Sequence, residues 1–148
     1  MRICYTLLSS SFEMHQYTAD LANQMALDGH AVHLVTSSCA PLDRYIPAVT
    51  VHTPVDTTSA SFSVEGLKLA ALRKVKKTIV DVDPDLIHFS GPHIWNLSLM
   101  RKLKACGLPV IHTLHTVDPP WRSGYGIIIR LWNRQVIRTA DHILVHGQ

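Results

Sequence analysis

The sequence contains neither G-x-G-x-x-G nor G-x-x-x-x-G-K-[ST]. A dinucleotide fold needs those glycines for close backbone approach to pyrophosphate, and a P-loop needs them to cradle phosphate, so neither class is supported. H-E-x-x-H, paired C-x-x-C and tight His/Asp clusters are missing despite ten histidines, and no bound metal or other cofactor is expected. The stretch "SSSFE" lacks the glycines of a nucleophile elbow, which argues against a Ser-His-Asp hydrolase. Cysteine is scarce: Cys4, Cys39 and Cys106 are odd in number, far apart and in or beside apolar segments. That pattern predicts reduced core thiols in a reducing compartment, not a disulfide framework. No apolar run approaches the length that crosses a bilayer, and "MRICYTLL" has one Arg, a short apolar run and no small-residue cleavage site. A soluble, cytoplasmic chain is therefore expected. Charge of either sign is modest, 14 Lys+Arg against 11 Asp+Glu, which predicts no nucleic-acid partner. Repeats and low-complexity linkers are also missing, so 148 residues at 47% hydrophobic predict one domain over residues 1–148.

What is present is alternation. Arg2 to Leu8 is a continuous apolar run, the pattern of a strand buried on both faces of a parallel sheet. Met14, Tyr17, Thr18, Leu21, Ala22, Met25 and Ala26 then recur at helical spacing, and Gly29 supplies a left-handed cap. "AVHLVT" and "VTVHT" read as the next strands. From about Ser63 to Val80 a second helix places Val64, Leu67, Ala71, Leu72, Val75 and Ile79 on one side and Arg73, Lys76 and Lys77 on the other, with Lys74 at the margin. Asp83-Pro84 ends it, because the residue before proline avoids helical angles. Strand "DLIHF", Pro92 at a helix start, helix "NLSLMRKLKACG", strand "LPVIHTLH", helix "GIIIRLWNRQVIRTA" and strand "HILVH" complete the order. This predicts an α/β domain with a Rossmann-like, doubly wound parallel sheet flanked by helices.

In such a sheet, ligands bind beyond the carboxyl ends of the strands. The windows to weigh are Ser9 to His15, His88 to His93 and His112 to Thr116. The serines after the first strand are either the helix cap or donors at a helix N-terminus, where amides and the helix dipole attract anions or hydroxyl oxygens. His93 is either an acceptor-side contact or a helix-start residue. Strand alternation puts His112 and Leu114 on one face and Thr113 and His115 on the other. His112 and His88 read as structural, and His30 as a helix-end residue.

The order of segments resembles the N-terminal domain of the family 4 retaining glycosyltransferases of GT-B fold. The resemblance rests on "LA..L...GH.V", carried by Leu21, Ala22, Gly29, His30 and Val32, and on "DPDLIHFSGP", "GLPVIHTLHT" and "TADHILVHG" in the same order and spacing. It implies transfer of a sugar from a nucleotide-sugar donor to a saccharide, lipid-linked or small-molecule acceptor, with retention of configuration. It implies that the donor nucleotide is held mostly by a C-terminal domain outside this chain and the acceptor mostly by the present one. This half alone is then expected to be inactive. The other reading is a stand-alone module that binds or regulates a separate chain.

The resemblance also assigns roles. His115 matches the histidine that ends the fifth strand near the transferred sugar and is the catalytic candidate. Glu13, His15, His93 and Thr116 are the acceptor-binding candidates. Ser11 and Phe12 belong to the loop nearest the donor, where Phe12 and Glu13 stand at the family's glycine pair, a departure that changes the standard donor contact. The basic face of Arg73, Lys74, Lys76 and Lys77 is either a solvated helix face or a peripheral contact with anionic headgroups at the inner membrane surface, with Trp121, Arg122 and Tyr125 as interfacial or acceptor-closing residues. Self-association through an apolar rim is a further expectation.

Overall fold

A computed structural model describes residues 1–9, 11–56, 69–116 and 124–145, the Tyr125 side chain excepted. The expected helix start at Ser63 with Val64 and Leu67, and the Trp121 and Arg122 contacts, lie outside those residues. The elements run β1 (Arg2–Leu7), α1 (Phe12–Leu27), β2 (Ala31–Ser37), β3 (Val49–Val55), α2 (Leu69–Val82), β4 (Leu86–Phe89), α3 (Asn96–Lys104), β5 (Val110–Leu114), α4 (Gly124–Thr139) and β6 (His142–Val145). The strands pair in parallel in the order β3-β2-β1-β4-β5-β6, which is the doubly wound arrangement the alternation predicted.

Burial on both faces explains why β1 is apolar apart from the exposed Arg2 and the buried Thr6. Ile3, Tyr5 and Leu7 pack with Ala19 and Ala22 of α1 on one side. Cys4 joins Leu72, Val75 and Ile79 of α2, Leu99, Met100 and Leu103 of α3 and Val136 of α4 on the other. Helix α1 ends as its sequence requires: Gly29 sits at φ +86°, its amide donates to the Ala26 carbonyl and that of His30 to the Met25 carbonyl. Gly107 closes α3 in the same way at φ +80°. Helix α2 runs two residues past the expected Val80 and stops where Asp83 turns to φ +51° before Pro84. Pro92 precedes α3 by four residues, so it belongs to the loop and not to the first helical turn. Pro54 is accommodated in β3 because that strand is an edge.

The thiol expectation needs correction. Cys4 is buried, and burial pushes its thiol up to about 12, which makes it inert packing. Cys39 and Cys106 are exposed, because one follows β2 in a turn and the other lies at the end of α3.

Candidate functional site

Strand order reverses between β1 and β4: the chain moves outward through β2 and β3 and returns to β4 on the other side. The connections leaving β1 and β4 therefore part, and a crevice opens above their carboxyl ends. It holds a cavity of about 260 Å³. Ser9, Ser11 and Met14 come from the β1–α1 corner, Pro92 follows β4, His112 to Thr116 span the end of β5, and Ile129, Trp132 and Asn133 descend from α4. No lysine or arginine lines it among the described residues.

His115 sits at this mouth, half-buried. Its Nε2–H donates to the Ser90 carbonyl at 2.7 Å, and its ring meets Tyr17 edge-on with centroids 5.2 Å apart. Tyr17 in turn lies 3.3 Å from the Thr113 hydroxyl, which is 2.8 Å from Nε2 of His88. The Thr18 hydroxyl, which donates to the Met14 carbonyl at 2.7 Å, accepts from the Ser90 hydroxyl at 2.8 Å, so α1, β4 and β5 all contribute to holding the imidazole. Thr116 is exposed beside it, and its carbonyl accepts from Asn133 Nδ2 at 2.7 Å, tying the end of β5 to α4.

The other candidates divide. Ser11 lines the cavity and stands at the N-cap of α1, but its hydroxyl donates to the Glu13 carboxylate at 2.8 Å instead of capping the helix. That bond, with a backbone one, holds the fully exposed Glu13 carboxyl below its usual range. Phe12 is exposed, its ring covered by the Arg44 guanidinium at 3.9 Å. Neither Phe12 nor Glu13 is among the residues lining the cavity.

His15 is fully buried: Nε2–H donates to the Ser9 carbonyl at 2.9 Å and Nδ1 accepts from the Tyr45 hydroxyl at 2.9 Å. With both ring nitrogens engaged inside the protein, it supports the corner from below. Burial, opposed by the Ser9 carbonyl and aided by Arg44, lowers its pKa. His93 is buried at the entry to α3, where Nδ1 accepts from the Trp95 amide at 3.2 Å, and burial presses it down to about 4. His93 thus lies in the β4–α3 loop, three residues before the helix. His88 and His112 are likewise buried and pressed down to about 4, first by burial and then by neighbouring imidazoles. The α4 wall, Ile129, Trp132 and Asn133, was not singled out from sequence. Its signal is Asn133, which with Thr139 is a buried polar residue on the face that α4 turns to the core. Among the described residues no group of three or more His, Cys, Asp or Glu side chains is arranged to hold a metal ion.

A parallel sheet with a cavity at its switch point defines a Rossmann-like ligand-binding domain. The particular family follows from its sequence profile: residues 14–148 match Glycosyltransferase Family 4, and the chain belongs to that family. The match starts just after Ser11, Phe12 and Glu13. In fold the chain is similar to Anabaena Alr3699/HepE, solved in complex with UDP and glucose, at TM-score 0.59 and 18% identity over 97% of this chain and 37% of that one. It is also similar to a putative UDP-N-acetylglucosamine 2-epimerase from Listeria monocytogenes, at TM-score 0.63 and 9% identity over 97% and 38%. The chain thus spans less than two fifths of the length of either. No curated protein matches it significantly in sequence.

Proposed function

We propose that this chain is the acceptor-binding half of a retaining glycosyltransferase, which transfers a hexose-type sugar from a nucleotide-sugar to a saccharide, lipid-linked or small-molecule acceptor. The observation that carries the reading is the cavity beside His115. Among the described residues its polar groups are hydroxyls, amides and imidazoles, its apolar walls come from Met14, Leu114 and Trp132, and no lysine or arginine lines it. Such a lining suits uncharged hydroxylated molecules and not a diphosphate. The donor's diphosphate is then held mainly outside this chain, near the β1–α1 corner of Ser11 and Phe12, where the N-terminus of α1 has no side-chain cap. No metal or cofactor is invoked, the nucleotide-sugar being a co-substrate. His115, whose Nε2–H is held by the Ser90 carbonyl and whose ring meets Tyr17, accepts through Nδ1 a hydrogen bond from a hydroxyl of the transferred sugar and so orients it.

The test has two parts. The 148-residue chain incubated with a panel of nucleotide-sugars and saccharide acceptors gives no transfer; measurable transfer by this chain alone contradicts the division of labour. In the two-domain enzyme, His115→Ala lowers kcat by about 100-fold with Tm nearly unchanged. Loss of folding, or unaltered turnover, removes His115 from the reaction.

A further inference from the structure

We infer that His112, on the fifth strand, recognises the bound acceptor by donating a hydrogen bond from Nδ1 to one of its uncharged hydroxyl oxygens. The inference rests on the reading of the cavity as a site for a hydroxylated acceptor, and it adds a residue that strand alternation had placed with the packing.

The tautomer follows from a neighbour. Asn96, at the start of α3, donates from Nδ2 to the Gly91 carbonyl at 2.8 Å and approaches Nε2 of His112 at 3.2 Å. The reverse amide orientation would set Oδ1 against the Gly91 oxygen, two acceptors in contact, so the NH2 group is fixed in place. An NH2 only donates, so Nε2 accepts, and a neutral imidazole then carries its proton on Nδ1. The ring is held flat on Phe89, with planes 9° apart and centroids 6.2 Å apart. Burial keeps it uncharged near neutral pH.

Among the described residues Nδ1 has no acceptor. His112 is 1% exposed, yet it lines the cavity and its Nδ1 lacks a hydrogen-bond partner. The adjoining Thr113 backbone lies close enough to favour a proton there but outside hydrogen-bond geometry. A buried N–H without an acceptor is costly, and natural structures rarely keep one without a use. Because Nε2 is spent on Asn96, any polar contact from this ring to a ligand runs through Nδ1. A neutral donor, in a lining whose described residues include no lysine or arginine, favours a hydroxyl or ring oxygen over a phosphate.

Nitrogen-15 NMR of the imidazoles in the 148-residue chain tests this, with glucose and UDP as separate probes. The free protein is expected to show His112 with Nδ1 protonated and Nε2 bare, and glucose to shift Nδ1 while UDP does not. His112→Phe keeps the stack on Phe89 and removes the donor, and it should weaken glucose binding at least tenfold. Asn96→Asp, whose carboxylate accepts from Nε2–H and turns the tautomer over, should do the same with the ring retained. A proton found on Nε2 in the wild-type chain overturns the inference without any variant. Glucose shifts at Thr116 and His115 with none at His112 overturn it while leaving the acceptor reading intact. No glucose response at any cavity residue overturns both.

Discussion

His115 and the buried histidines show how one residue type takes different duties a few ångströms apart. His15, His88, His93 and His112 are almost wholly buried, and each has its pKa lowered, chiefly by burial. An unfolded imidazole titrates near pH 6.5. Between pH 6.5 and about 4 the unfolded chain therefore binds more protons than the folded one. Stability from these rings is fully present above pH 6.5 and is lost as pH falls below it, towards about 4 for His88, His93 and His112. Each ring contributes at most about 1.4 kcal/mol per pH unit. Urea midpoints should accordingly fall steadily from pH 7 to pH 5, and a flat profile over that interval would mean that the folded rings titrate as they do in the unfolded chain. The same burial separates candidates by location: His15 spends both ring nitrogens on the Ser9 carbonyl and Tyr45 and His93 spends Nδ1 on the Trp95 amide, whereas His115 lines the cavity.

At the scale of elements, glycines divide into two physical kinds. Gly29 ends α1 at φ +86° with open space around the position a Cβ would take. Gly29→Ala should cost about 1 kcal/mol, the penalty of a left-handed L-residue, and leave the site unaltered. Gly91, just beyond β4, is constrained by contact. A Cβ there would stand 2.6 Å from Cδ1 of the fully buried Leu7, with Met14 close behind. Gly91→Ala should cost about 1–3 kcal/mol by overpacking and shift the loop that carries Ser90 and Pro92. Urea denaturation ranks the two variants, and the NMR signals of His115 show which one reaches the site. Equal costs with an undisturbed His115 would mean that Leu7 yields freely.

At the scale of the whole molecule, charge is sorted by the sheet. Ten of the 14 lysines and arginines lie on the helical layer of α2, α3 and α4, with Asp81 the only acid on those helices, whereas α1 across the sheet carries Glu13 and Asp20 and no base. Exposed Ile127, Ile128 and Leu131 adjoin this layer on α4. The basic layer extends the face of Arg73, Lys74, Lys76 and Lys77 and supports the proposal of peripheral contact with an anionic membrane. Among the described residues no helix is long and apolar enough to cross one. The chain should sediment with phosphatidylglycerol vesicles and release with salt. Arg134→Gln with Arg138→Gln should weaken that binding about 30-fold, from about 1 kcal/mol per cation. Equal binding to neutral vesicles, or none to either, assigns the layer to solvent or to another protein surface.

The sequence by itself determined the alternation of strands and helices, the glycine caps of α1 and α3 and the family, because period, capping and local motif are short-range properties. It also confined most of the site to the three windows after β1, β4 and β5, since those carboxyl ends must share one edge of a parallel sheet. Only the tertiary structure decided which residues in the windows face the cavity, that α4 supplies its far wall, and that the bases of three helices lie on one side. Those outcomes depend on how separate elements pack across the sheet. His112 shows the difference: strand alternation places its side chain on a face, but only the amide of Asn96, brought in by α3, determines which nitrogen carries the proton.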